Sequence, residues 1–463
     1  MEVTPIGWIL LVIGPLLMIL RPKWLYIATI FFLPFTATDV INVGSDLNAS
    51  GLQASMYLGS LLILRHVGGF LRRGTFPFPR SGRNSLVWLG VFIVVTMLSL
   101  IMPLWIDGRI LIPSARFLDT TTEPLYLNSR NITGVLYMIY GYLLAYLTAV
   151  LNQKATMFRL SVKTFMSGSV FAAFWGILEF ACKISGVTYP AMIFNTGTSL
   201  AAMGYQELLT GDVIRLSSVG VEPSIFAQTL LVALSLYLPF VFGAPILFGK
   251  ALDRSLFALI FVVLCLTTSS TGFVGVFIVV VLVLTLLGIR GILRLRHLVM
   301  PLAVFAMMAL LYASVPVAQQ VLDTALFSKA TDYSAFERLM TISNSYDMFL
   351  QYPVLGIGWA SITSHDLIVK ILANAGLLGL LSFTVAMYHI FRVLYRSIKS
   401  RSKSLRVPGL MWMDFALYIT LGTTLATSVL SGFLNTFSFF WFVLGLAIAA
   451  SNMDDLAQKS LYG

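Results

Sequence analysis

The sequence predicts an all-α, polytopic integral membrane protein of about 12–14 transmembrane helices, with a large non-cytoplasmic loop carrying an amphipathic helix. Three observations predict it. Hydrophobic residues make up 58% of the chain and charged residues only 11%, a balance that cannot clothe soluble domains. Apolar runs long enough to cross a bilayer, for which about 20 residues suffice, recur along the chain. Basic residues gather in alternate loops between those runs.

In order, the apolar runs fall at 5–20, 24–38, 52–64, 85–106, 132–151, 164–181, 224–243, 255–268, 272–288, 298–315, 367–391, 409–429 and 431–450. The first has no basic stretch before it and contains Gly14 and Pro15, so a retained first span is expected and not a cleaved signal. Arg21 and Lys23, Arg65 to Arg83, Lys154 to Lys163, Lys250 and Arg254, Arg290 to Arg296, Arg392 to Arg406 and Lys459 take 22 of the 30 Lys and Arg. That bias puts those loops and the C-terminus inside and the N-terminus outside. Clusters such as RHVGGFLRRGTFPFPRSGR suit anionic lipid, so membrane lipids and not nucleic acid are the expected partner of the net charge of +11. The chain then divides into a membrane bundle over 1–315 with outer loops 107–131 and 182–221, a large outer loop over 316–365, and C-terminal helices over 366–463.

The stretch SAFERLMTISNSYDMFLQYPVLGIGWASITSHDLIVKILANAGLLG, Ser334 to Gly379, carries the most polar content between spans. Ser334 and Glu337 form a capping-box pattern, so a helix is expected near Ala335. Phe336, Leu339, Met340, Phe349 and Leu350 recur at helical spacing and leave Arg338, Asn344 and Asp347 elsewhere, which describes a surface helix. QYPVLGIG breaks it, Ser364 offers another cap, and a span runs from Leu367 to Leu394 with His365 at its start.

Several chemistries lack their motifs: there is no Walker glycine loop, no HExxH, and Cys182 and Cys265 are too few for a metal site, so neither cofactor nor metal is expected. Gly356 and Gly358 make a turn. Asn131-Ile132-Thr133 is formally a glycosylation sequon and fits equally a polar helix start. No internal repeat is evident. What remains is Arg215, Glu222 opening a span through Pro223, Arg338 and His365, all on the outer side near helix starts. Guanidinium forks and helix N-termini suit a diphosphate at the membrane surface. Singly, Arg338 also fits a solvated residue or an ion pair with Asp332, Glu337 or Asp347, and Arg215 a pair with Asp212. A histidine at a helix N-terminus is held neutral and able to accept a proton, a role for which Glu222 competes. Glu179 either snorkels or pairs with Lys183, and Asp414 lies just inside its span near the cytoplasmic surface.

ERLMTISNSYDMFLQYPVLGIGWASITSHDLIVKILANAGLLGLL, with an arginine on an amphipathic helix, P-x-x-G-x-G, and a histidine before a GLLG helix, resembles the large-loop signature of the bacterial O-antigen polymerase and O-antigen ligase superfamily. IRLSSVGVEPSIFAQTLL is similar to its earlier signature, and LCLTTSSTGFVGV occupies its T-x-S-R-G segment. The resemblance implies a GT-C-like fold in the bacterial inner membrane and a metal-independent, inverting glycosyltransferase without cofactor. It joins undecaprenyl-diphosphate-linked repeat units at the periplasmic face, one as donor and one as acceptor, with a chain-length regulator as a further partner. Arg215 and Arg338 would contact the diphosphate and His365 would stand at the reacting end. Thr271 stands where ligases carry arginine, which favours a polymerase over a ligase that transfers glycan to lipid A-core, and Asp366 stands where asparagine is frequent. A transporter or flippase of lipid-linked sugars is the reading from another class, supported by the TTSSTG break.

Overall fold

Prolines and small polar residues start several helices of this chain, and left-handed glycines end two of them, at Gly74 and Gly186. In the computed structural model, the described residues are 2–44, 50–79, 82–113, 122–197, 214–241, 247–291, 333–403, 408–432 and 435–450, with scattered positions between 293 and 323. Thr4 accepts from the Gly7 amide at 2.9 Å, and Pro5 opens α1 (Pro5–Leu20); Pro22 opens α2 (Pro22–Phe31). Helix α3 (Ala54–Arg73) ends on a left-handed Gly74, and α4 (Arg83–Leu98) and α5 (Ile101–Ile106) follow. A reciprocal capping box between Asn128 and Asn131 starts α6 (Ser129–Leu151), so the sequon is a helix start. The remaining helices are α7 (Ala155–Ser185), α8 (Pro223–Val241), α9 (Lys250–Leu266), α10 (Ser270–Ile289), α11 (Tyr333–Gln351), α12 (Leu367–Lys403), α13 (Pro408–Ser431) and α14 (Ser438–Ala450).

Among the described residues eight helical stretches are long and apolar enough to cross a membrane, and α1 and α14 are shorter apolar helices. Most of the expected run 298–315 lies outside the described residues. Every other expected run overlaps a helix: α2 stops at Phe31 and α14 begins only at Ser438, while α7 grows to 31 residues and α3 to 20 because their basic ends stay helical. Two small sheets depart from the all-α expectation. Strands β1 (Glu2–Val3), β2 (Asp39–Val43) and β3 (Ser50–Gln53) form one antiparallel sheet, and β4 (Leu111–Pro113) pairs with β5 (Thr122–Pro124). The connecting chain at one end of the bundle satisfies its own backbone groups this way, in strands too short to show a two-residue period.

Helix α14 is buried along its whole length. It packs on α6, where a Cβ at Gly141 would lie 2.1 Å from the Trp441 ring and one at Gly445 2.5 Å from the Ala145 carbonyl, so small residues let the backbones close. Helix α12 packs between α4 and α13, and α13 lies against α8 and α10. Two buried acids sit at the far end from Glu222 and tie down loops there. Asp253 accepts from the Tyr237 hydroxyl at 2.9 Å and from the Leu247 and Phe248 amides at 3.0 Å each, and Asp414 accepts from the Ser397 hydroxyl at 2.6 Å.

One backbone exchange shapes the opposite end. Helix α12 is not continuous: Gly376, with φ 65° and ψ −165°, breaks it. The Ala373 carbonyl, which would accept from Leu377 in an unbroken helix, accepts from Ile357 at 2.8 Å, while Leu377 and Leu378 donate to Pro353 and Val354 at 2.8 and 3.3 Å. The turn 353–357 is thus spliced into the helix. Both partners must be glycine, because a Cβ at Gly376 would lie 2.1 Å from the Val354 carbonyl and one at Gly356, φ 66°, 2.4 Å from the Ala373 carbonyl. Gly376→Ala is expected to cost at least about 1–3 kcal/mol from backbone conformation alone. A thermal unfolding midpoint of the purified variant in detergent no lower than that of wild type would contradict the splice.

Candidate functional site

At the spliced end, four segments converge around His365. The imidazole Nδ1 lies 3.0 Å from the Thr341 hydroxyl, and that hydroxyl donates to the Arg338 carbonyl at 2.9 Å. A hydroxyl has one proton to give, so Nδ1 carries the proton of the neutral ring and Nε2 is left as the acceptor. Burial first, then the charges of Arg338 and Lys370, lower the His365 pKa to about 4. The expected direction is right and its cause is different: desolvation and two cations act here, in place of the helix terminus.

That terminus has its own cap. The Asp366 carboxylate accepts from the Val369 amide at 2.7 Å, so Asp366 caps α12, and Ser364, expected in that role, instead accepts from the Asp366 amide at 3.3 Å. Asparagine would cap as well, which accounts for either residue after the histidine. One turn on, Lys370 extends its ammonium to Asn435 Oδ1 at 3.5 Å, and Asn435 is held through its carbonyl by the Trp441 indole at 2.8 Å.

The polar side of α11 faces this point. Arg338 and Glu337 are half-buried and Ser345, which donates to the Thr363 carbonyl at 3.2 Å, is fully buried. Phe336, Leu339 and Leu350, by contrast, are 60%, 66% and 59% exposed, so the apolar stripe points away from the protein. The helix starts at Tyr333, two residues before the expected Ala335, and it is not among the stretches long and apolar enough to span.

Helices α8 and α13 close the ring. Glu222 precedes Pro223, and its carboxylate accepts from the Ser224 hydroxyl; Gln228, one turn further, donates to the Ser431 hydroxyl. Gly432 brings the end of α13 against the His365 backbone, where a Cβ would lie 3.7 Å from the His365 Cα. Burial raises the Glu337 pKa, Arg338 opposes that, and the nearby Glu222 charge adds to it, which sets Glu222 and Glu337 in one neighbourhood with Arg338 and His365.

Arg215 enters on the chain that ends at Glu222. That segment is clamped by Glu179, whose carboxylate accepts from the Ser217 and Ser218 amides at 3.2 and 2.6 Å and pairs with Lys183 at 2.9 Å. Lys183 donates in turn to the Arg215 carbonyl at 2.9 Å, and the Arg215 Nε is buried. The expected Glu179–Lys183 pair exists, and holding the strap is the function of Glu179 that its place in the sequence did not show. Asp212, proposed as a partner of Arg215, lies outside the described residues. Val219 accepts from Ala37, and Val221 donates to Thr36, so the strap is also pinned to the segment before β2.

The structure therefore brings Glu222, Arg338 and His365 together and adds Lys370, Glu337, Ser224 and Thr341, which sequence reasoning missed. Lys370 was the one with a signal, a lone lysine at the start of an apolar span. Chemically the ring offers cations for an anion and a neutral imidazole with Nε2 open, with the carboxylates of Glu337 and Glu222 near Arg338. Among the described residues no cluster of His, Cys, Asp and Glu could hold a metal ion. Comparison with known protein families and with curated proteins returns no match for this chain.

Glu179→Ala strands Lys183 and two amides, and is expected to destabilise the chain by about 3–5 kcal/mol in denaturant unfolding; a change within error would show that the clamp contributes nothing. His365 takes a proton near 6.5 when unfolded and near 4 when folded, so between those values the unfolded chain binds more protons and stability falls as pH falls. Unfolding midpoints measured from pH 7 to pH 4 are expected to drop less steeply in His365→Gln, and parallel curves would contradict a buried neutral imidazole.

Proposed function

We propose that the chain is a polysaccharide polymerase of the bacterial inner membrane, which joins undecaprenyl-diphosphate-linked repeat units, of O-antigen or exopolysaccharide, at the periplasmic face by inverting glycosyl transfer. The observation that carries this reading is the neutral His365 with its Nε2 open, flanked by Arg338 and Lys370 at the mouth of an apolar bundle. The outward apolar stripe of α11 fits a helix lying in the membrane surface, where a lipid-linked substrate presents its diphosphate.

In this mechanism an acceptor hydroxyl attacks the donor's anomeric carbon from the face opposite the diphosphate. The new carbon–oxygen bond forms as the bond to the diphosphate breaks, and the electron pair leaves with the phosphate oxygen. Arg338 and Lys370 stabilise the charge that grows there, where preorganised cations act most strongly. The hydroxyl proton passes to His365 Nε2, with Glu222 as the competing base. An imidazole with a pKa of about 4 is a weak base, but a dianion seated between it and the cations cancels part of what holds that pKa down, so donor binding itself activates the base.

The ligase reading shares this donor chemistry and differs in its acceptor. A strain lacking the chain separates the two, since a polymerase loss leaves single capped units and a ligase loss leaves unattached polymer. Transport of lipid-linked sugar is favoured by one feature, the break at Thr267–Ser269 where Thr268 is left-handed with φ 47°. Against it, the buried acids Asp253 and Asp414 are engaged by the Leu247–Phe248 loop and by Ser397.

Purified chain in liposomes is expected to lengthen lipid-linked repeat units. Arg338→Lys keeps a charge and loses the bidentate fork, and is expected to lower the rate by about 10²–10³, with Arg338→Ala no better. His365→Ala is expected to cost about 10²–10⁴. Units that cross the bilayer unlengthened would replace this reading with transport.

A further inference from the structure

The small sheet beside the strap contains an oxygen cage that the proposed reaction does not use. A bulge at Val40 shifts the register between the pairs Asp39↔Gln53 and Ile41↔Leu52, after which Asn42 faces Gly51. Counting alternation from either pair puts Asp39, Asn42, Gln53 and Gly51 on one face of the sheet. Without the bulge, Asp39 and Asn42 would point to opposite faces.

On that face the Asp39 carboxylate and the Asn42 amide oxygen meet without a donor, and Gln53 pairs with Asp39 across the strands. A Cβ on Gly51 would lie 1.7 Å from Asp39 Oδ2 and 2.9 Å from Asn42 Oδ1, so the carboxylate and the amide oxygen share the space above one glycine. Gly197 lines the other side, its Cβ position 3.1 Å from Asp39 Oδ2. Asp39 and Asn42 are each 6% exposed. The Asn42 Nδ2 donates to the Thr196 carbonyl at 2.8 Å, which fixes the amide so that Oδ1 is the atom turned inward, and that oxygen has no hydrogen-bond partner. The Gln53 Oε1 is likewise buried without a partner. Among the described residues nothing donates to the Asp39 carboxylate.

The Asp39 backbone is pinned as well. Its amide donates to Thr196 Oγ1 at 2.9 Å, and its carbonyl accepts from Thr4 Oγ1 at 2.6 Å and from Thr196 Oγ1 at 3.0 Å. A buried carboxylate facing two amide oxygens is unfavourable unless something positive lies among them.

We propose that Asp39, Asn42 and Gln53 bind a hard cation, with calcium the best match. The donor set is oxygen only, a carboxylate and two amide carbonyls, which belongs to calcium chemistry and not to that of zinc or copper. A single carboxylate places the site at the weak end, with Kd about 10⁻⁴–10⁻³ M. The cation would stiffen the segment Thr36–Asp39, which holds both Thr196–Gly197 and the strap leading to Glu222. The site stands on its own geometry and does not depend on the glycosyltransferase reading.

The test uses the full chain in detergent, stripped with chelator and titrated with CaCl₂ at constant ionic strength, following thermal unfolding together with terbium luminescence. The unfolding midpoint of wild type is expected to rise and saturate, half-maximally at about 10⁻⁴–10⁻³ M calcium, and calcium is expected to displace terbium. Asp39→Asn is expected to abolish both responses. Should that variant not fold, Gln53→Leu is expected to move the half-point at least about tenfold higher. No response in wild type, an unchanged response in either variant, or stabilisation by acid that calcium does not alter would overturn the cation site, the last because a proton then fills the cage.

Discussion

Backbone groups freed by a break in an apolar helix must find partners inside the protein, and the splice of the 353–357 turn into α12 is how this chain meets that demand at the end that carries His365. The Ala373 carbonyl and the Leu377 amide each lose their helical partner and gain one from the turn. The exchange is possible only because Gly356 and Gly376 carry no side chain. It pins residues 353–357 to the helix, and the short segment that follows, Gly358 to Asp366, is left to carry His365 to the rim. Loosening the splice would release the imidazole from Thr341.

Around that fixed point, charge and burial set the chemistry. Arg338 and Lys370 keep His365 neutral, and Thr341 selects which nitrogen is open. Glu179 positions a second strap through amide bonds and Lys183, so one buried acid orders the segment that runs from Arg215 to Glu222. The apolar stripe of α11 points outward while its polar side faces His365, so one helix carries both an exposed apolar face and part of the site.

Helix positions were legible because apolar runs near the span length and proline or glycine boundaries act locally: the run 5–20 is α1, and 272–288 lies within α10. Arg338 and His365 were legible because charge is rare in such a chain. The break at Gly376 was not, since it depends on a turn about twenty residues upstream, and neither was the cap by Asp366, where Ser364 offered an equal local signal. The short strands were invisible for a similar reason. Glu337 and Ser224 became part of the site only through packing of α11 and α8 around the same opening.

The proposed chemistry requires an anionic group seated between Arg338, Lys370 and His365. Titration of the His365 imidazole by nitrogen-15 NMR, with and without undecaprenyl diphosphate, tests this directly. The predicted result is a midpoint near 4 in the free chain that moves upward when the lipid diphosphate binds, with the shift lost in Arg338→Ala. A midpoint that stays in place while the lipid binds would put the diphosphate elsewhere and contradict the claim.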